Sequence, residues 1–173
     1  MGETDEKVLY LTFDCGYENG NTAKILDTLK KHHVPGAFFM VGHYLDAAPG
    51  LVKRMTDEGH LVCNHSDNHP NMTTVGYDRF VSELTGLAAQ YKALTGKKIA
   101  PFFRPPEGSY TYNTLRWAQQ LGYHTTLWSV AYAAWDPANQ PSYASARQPI
   151  NSRVHNGAIV LLHDLYPTSI QGA

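Results

Sequence analysis

Val8-Leu9-Tyr10-Leu11-Thr12-Phe13, an apolar and β-rich run, is followed at once by the polar turn Asp14-Cys15-Gly16. A short run bounded in this way reads as a strand. Residues 22–33 then repeat apolar side chains at Ile25, Leu26 and Leu29, the spacing of one helical face. The same order of strand and helix recurs. Residues 37–41 precede a helix near 51–58, residues 61–64 a helix near 77–94, and residues 101–104 a helix near 113–121. A strand over 125–130 is expected before a helical or irregular stretch around 143–155, and 158–163 is the last apolar strand. Gly59, Gly96, Gly122 and Gly157 stand just before the next strand, where C-terminal caps and tight connections favour glycine. Strands separated by helices predict a parallel α/β architecture, either an open doubly wound sheet or a barrel.

Composition narrows the function. A chain of 173 residues with 43% hydrophobic content can bury one good-sized core, so a single domain over residues 8–173, preceded by a polar tail at 1–7, is expected. The 14 basic and 15 acidic residues nearly cancel and form no dense basic run, which argues against nucleic acid as a partner. No apolar stretch reaches the length of a membrane span, and residues 1–7 lack the apolar centre of a secretory signal. A monomer acting on a neutral or weakly charged ligand is the expectation. Cys15 and Cys63 are too few for a disulfide framework.

In parallel α/β folds, ligands gather at the C-terminal ends of the strands. The residues expected there are chemically rich: Asp14 and Cys15, His65 and His69, Arg104, Trp135, His163 and Asp164. His65 and His69 are four positions apart, and on a helical turn both imidazoles would face one divalent ion at about 2.0–2.1 Å. Two ligands do not complete a catalytic metal site, which usually takes a third protein ligand and keeps a position for water. Taken singly, each of these residues also has an ordinary structural role, as a cap, a turn or a core side chain. His32, His33, His43, His60, His124 and His155 keep that ordinary reading, Cys63 reads as a small buried hydrophobe, and Tyr110 and Tyr112 read as packing.

Five segments together are more specific than any one of them. Thr12-Phe13-Asp14-Cys15-Gly16, His65-Ser66-Asp67-Asn68-His69, Arg104-Pro105-Pro106-Glu107-Gly108, the Trp135 segment and Leu161-Leu162-His163 resemble, in order and spacing, the five motifs of the polysaccharide deacetylases. This is the NodB-homology group, carbohydrate esterase family 4. The Tyr17-Glu18-Asn19-Gly20 and Trp128-Ser129-Val130-Ala131 stretches look most like the branch that deacetylates N-acetylmuramic acid in peptidoglycan. The resemblance implies a distorted (β/α) barrel, hydrolysis of N-acetyl groups on a cell-wall polysaccharide, and a location in the cell envelope or outside the cell. Chitooligosaccharide or xylan deacetylation, or a catalytically silent carbohydrate-binding protein, are the alternatives.

Residue by residue, the resemblance makes Asp14 the general base, His163 the general acid, and Arg104 the side chain that orients the base. His65 and His69 match the ligands of a divalent metal, often zinc. The backbone N–H of Glu107 falls at an oxyanion donor, and Trp135 and Leu161 match groove residues that contact the substrate. Three departures stand out. Cys15 occupies the place of a second aspartate that supplies the third metal ligand, so either the thiolate replaces it, or two histidines and waters hold the metal weakly, or no metal binds. Ala131 and Ala134 stand where many members carry acids, so Arg104 is expected to lean on Asp14 directly. Glu107 replaces an aromatic. After His163 the family continues with a helix, a strand and a helix, whereas only residues 164–173 follow here, so the C-terminal part of the barrel is expected to be incomplete.

Overall fold

Alternation along β1 (Leu9–Cys15) buries Phe13 and Cys15 completely, while Leu9 and Tyr10 at its start stay exposed. The computed structural model describes residues 4–131 and 152–163. Helix α1 (Thr22–His32) packs through Ile25, Leu26 and Leu29, the stripe expected from the sequence, and carries Lys30 and Lys31 in its last turn, cations that suit the negative end of the helix dipole. There follow β2 (Ala37–Met40), α2 (Gly42–Ala47), α3 (Pro49–Asp57), β3 (Leu61–Asn64), α4 (Tyr77–Thr95), β4 (Phe102–Phe103), a 3₁₀ turn over Pro106–Gly108, α5 (Tyr112–Gln120), β5 (His124–Thr125), β6 (Val130–Ala131) and β7 (Ala158–His163).

Local chemistry sets these boundaries. Pro49 opens α3, where its missing N–H costs nothing. Thr111 and Thr114 form a reciprocal capping box at the start of α5. Gly96 closes α4 at φ 73°, sending its N–H back to the Lys92 carbonyl at 2.8 Å.

Contacts divide the chain into two compact units, residues 1–37 with 128–173, and residues 38–127. In the first, β1 and β6 flank β7, and both pairings are parallel. In the second, neighbouring strands run in the order β2, β3, β4, β5, and the described pairings are again parallel. Strand order there follows chain order without reversal. That progression belongs to a barrel rather than to a doubly wound sheet with a switch point. One core cluster of this second unit joins Met72, Phe80, Leu84, Phe103 and Ala118, with the Phe80 and Phe103 rings edge to face at 5.7 Å. Among the described residues no helix is long and apolar enough to cross a membrane.

Two elements differ from expectation. Over 125–130, two short strands replace one. Thr126 N–H still donates to the Phe103 carbonyl at 2.8 Å, whereas Ser129 N–H donates to the Ile159 carbonyl at 3.0 Å, so the backbone changes partner between them. Both halves are equally β-prone, which hides the exchange from a reading of the run alone. Helix α2 was not expected, because six residues are too few to show a helical period. The Trp135 segment, Ala134, the stretch 143–151 and Asp164 lie outside the described residues.

Candidate active site

Asp14, His65, Arg104 and His163 each stand at or directly after the C-terminal end of a parallel strand, as the sequence predicts: β1, β3, β4 and β7 respectively. Asp14 and His163 are register partners on β1 and β7. Register partners in a parallel pair present their side chains on one face, and the two-residue period adds Thr12 and Leu161, which pair one step earlier. Both Asp14 and His163 are half-buried, so a carboxylate and an imidazole stand side by side within reach of solvent. Cys15 leaves β1 on the other face together with Phe13, and its Sγ lies 3.9 Å from the Phe13 carbonyl oxygen. It is completely buried, as is Cys63, and neither forms a disulfide.

In the second unit the histidine pair is built on a loop. Asn64, the last residue of β3, is fully buried; its Nδ2 donates to the Leu84 carbonyl at 2.9 Å and to the Tyr123 hydroxyl at 3.1 Å, and its Oδ1 accepts from Ser66 N–H at 2.9 Å. Burial pushes the Tyr123 phenol up from its ordinary value, with the Asn64 hydrogen bond acting the other way. His65 N–H donates to the Met40 carbonyl at 2.9 Å, and its Nδ1 meets the Arg104 carbonyl at 2.8 Å. A carbonyl only accepts, so Nδ1 carries the proton and Nε2 keeps its lone pair.

The expectation of a helical turn between His65 and His69 does not hold. Ser66 and His69 adopt left-handed conformations, φ 67° and 53°, each costing about 1–3 kcal/mol for a residue with a Cβ. His69 N–H donates to Ser66 Oγ at 3.1 Å, closing the loop. The two rings still converge, with centres 5.0 Å apart and planes at 75°. A tetrahedral ion about 2.0–2.1 Å from each nitrogen would place two ring centres roughly 5 Å apart, so the pair fits a shared divalent ion. Among the described residues no group of three or more His, Cys, Asp or Glu side chains is drawn together as a metal cluster.

Arg104 is completely buried. Its N–H donates to the Asn64 carbonyl at 3.0 Å, its Nε donates to the Thr126 carbonyl at 3.2 Å, and its guanidinium lies 4.1 Å over the Phe39 ring. Backbone and side chain thus serve different ends, the carbonyl orienting His65 and the guanidinium holding the strand ends. Beyond it, Glu107 is exposed with φ 58°, inside a turn closed by Gly108 N–H to the Pro105 carbonyl at 3.0 Å. Among the described residues no hydrogen bond engages the Glu107 N–H, which suits it to donate to a ligand oxygen. Tyr110 and Tyr112 are 45% and 75% exposed, which corrects the reading of both as packing. A phenol can sit at a wet surface at little cost, and Arg116 stands 5.9 Å over the Tyr112 ring. Asn64 and Glu83, whose carboxylate meets the histidine loop, were missed from sequence because neither falls in a recognisable motif position for chemistry.

The sequence profile described as polysaccharide deacetylase matches residues 1–126. The peptidoglycan-N-acetylmuramic acid deacetylase PdaA of Bacillus subtilis is 45% identical over 163 residues, 94% of this chain and 62% of that protein. A peptidoglycan-N-acetylglucosamine deacetylase of Bacillus cereus is 33% identical over 176 residues, 99% of this chain and 61% of that protein. The chain therefore spans somewhat less than two thirds of these relatives. The solved structure of Bacillus subtilis PdaA, described as a family 4 carbohydrate esterase, matches with a TM-score of 0.95 at 43% identity, covering 99% of this chain and 73% of that one. The two share one fold, and the expectation of a parallel α/β fold of the (β/α)-barrel type holds.

Proposed function

The chain belongs to the polysaccharide deacetylase family, and from that premise we propose that it removes N-acetyl groups from amino sugars of a cell-wall polysaccharide, most specifically N-acetylmuramic acid of peptidoglycan. The observation that carries this reading is the Asp14–His163 register pair, a base and an acid presented together at the ends of adjacent strands. In the proposed reaction the Asp14 carboxylate takes a proton from water as its oxygen adds to the acetamide carbonyl carbon. By the family resemblance, the Glu107 N–H would donate to the oxygen that becomes negative, and Arg104 would be the side chain that orients the base. The His163 imidazolium then protonates the sugar nitrogen as the carbon–nitrogen bond breaks, so that acetate and a free amine leave. His65 and His69 would hold a divalent ion, zinc being the expected one, which when bound polarises the carbonyl and lowers the pKa of a water. Leu161, buried beside the pair, and Trp135 are assigned to the substrate groove. The domain is assigned to residues 8–173, working outside the cell or in its envelope.

Acetate release from peptide-free peptidoglycan glycan, intact peptidoglycan, chitooligosaccharides and acetylated xylan tests this reading in zinc-replete protein. Release is expected from the muramic-acid-containing glycans, and both Asp14→Asn and His163→Ala should lose at least about 100-fold. Full activity in either variant sinks the mechanism. Release from chitooligosaccharides alone moves the substrate to N-acetylglucosamine, and glycan binding without release assigns a silent binding protein.

A further inference from the structure

We infer that Glu83, a buried carboxylate on α4, is a positioning residue that sets the geometry of the His65–His69 pair. The inference rests on the reading of those two histidines as metal ligands. Glu83 lies on the buried stripe of α4 with Phe80, Leu84, Leu87 and Tyr91, and only 3% of it is exposed. A well-packed apolar side chain would serve the core there at least as well as a carboxylate, which must be drawn from water. Its contacts show what the carboxylate does instead. Oε2 accepts the Asn68 N–H at 2.7 Å, Oε1 accepts from Asn68 Nδ2 at 3.3 Å, and the Glu83 carbonyl accepts the Asp67 N–H at 3.2 Å. One residue of a rigid helix therefore takes donors from Asp67 and Asn68, the two residues that precede His69 in the loop that joins the pair.

The rest of the surroundings act in the same direction. Asp67 Oδ1 accepts from Gln90 Nε2 at 2.7 Å, two turns further along α4, and the Asp67 carbonyl accepts the Gly42 N–H at 2.8 Å. The left-handed Ser66 and His69 persist only where surrounding contacts over-determine the loop. Of the groups outside the loop that make those contacts, Glu83, Gln90 and Gly42, Glu83 supplies the carboxylate, and charge-assisted hydrogen bonds are the strong ones. Its remaining partner, Arg79 Nη2 at 3.3 Å, is a side chain 61% exposed and one helical turn away. That exposed pair contributes little by itself and does not account for burying the carboxylate.

Glu83→Gln places an amide N–H₂ among the donors of Asn68 and Arg79, nearly without change of volume. Zinc affinity of the full chain, measured by competition with a chromophoric chelator, is expected to fall about 10-fold, the range for lost outer-shell support. Crystals of the metal-free variant should show the two ring centres displaced from their 5.0 Å separation. Arg79→Ala should leave both unchanged. A folded Glu83→Gln protein with wild-type zinc affinity and wild-type ring separation overturns the inference, whatever its melting temperature. Should Glu83→Gln not fold, Glu83→Asp, which keeps the charge but falls short of Asn68, is judged by the same two measurements. Wild-type protein that releases no acetate yet shows these Glu83 effects would remove the proposed activity and leave this inference standing; if wild type binds no zinc, the ring separation alone decides.

Discussion

The Nδ1–H of His65 donates to the backbone carbonyl of Arg104 across 2.8 Å, so the residue that follows β4 fixes the tautomer of the residue that follows β3. Because the acceptor is main chain, no side-chain change at Arg104 abolishes the bond directly. With Nδ1 carrying the proton, Nε2 is the ring nitrogen whose lone pair can serve a metal.

From this follows a prediction for the metal. His65→Ala or His69→Ala should lower zinc affinity by more than the roughly 10–100-fold that loss of an outer-shell partner costs. Chelator competition measures it, and a variant that binds as tightly as wild type would remove that histidine from the site.

Cys15 shares the Phe13 face of β1, opposite Asp14, and is completely buried. Cys15→Ser should therefore keep wild-type zinc affinity, while lowering thermal stability through the hydroxyl it buries. A large loss of zinc binding would instead identify the thiolate as a ligand.

Arg104 spends its charge in a fully buried position, over Phe39 and against the Thr126 carbonyl. Arg104→Lys keeps the charge but loses the planar fork, and should destabilise the fold by about 1–3 kcal/mol in urea unfolding. An unchanged urea midpoint would contradict that role.

At Gly42 an added Cβ would stand 1.9 Å from Asp67 Oδ1 and 3.0 Å from the Asp67 carbonyl oxygen. Gly42→Ala must displace the Asp67 carboxylate from its place beside Gln90 and press on the Asp67 carbonyl, and is expected to shift the histidine loop at a cost of about 1–3 kcal/mol. Weaker zinc binding should accompany the lost stability; stability lost with the loop unmoved in a crystal structure would place the strain elsewhere.

His60 is held below its ordinary value of 6.5, first by burial, with Glu58 raising it and Arg54 lowering it further. The folded state thus resists protonation that the unfolded chain accepts. Stability from this group is fully present above about pH 6.5 and declines as pH falls from there toward the folded value, by at most about 1.4 kcal/mol per pH unit. The difference in melting temperature between wild type and His60→Gln should therefore shift between pH 7 and pH 5; a constant difference would refute the assignment.

Much of this was legible in the sequence for a physical reason. Apolar runs, helical stripes such as Ile25, Leu26 and Leu29, and capping glycines such as Gly96 are local signals, and they located most of the helices and strands. Parallel topology then follows, because strands joined by helices return in the same direction, and it places Asp14, His65, Arg104 and His163 at strand ends. Tertiary structure decided what no local pattern encodes. It replaced the helical turn between His65 and His69 with a loop of two left-handed residues, because Glu83, Gln90 and Gly42, distant in sequence, supply the contacts that hold it. It divided residues 125–130 between β4 and β7, exposed Tyr110 and Tyr112, and set Cys15 on the face away from Asp14. Side-chain type and spacing state which chemistry a chain carries, whereas the direction in which each group points depends on backbone pairing and long-range hydrogen bonds.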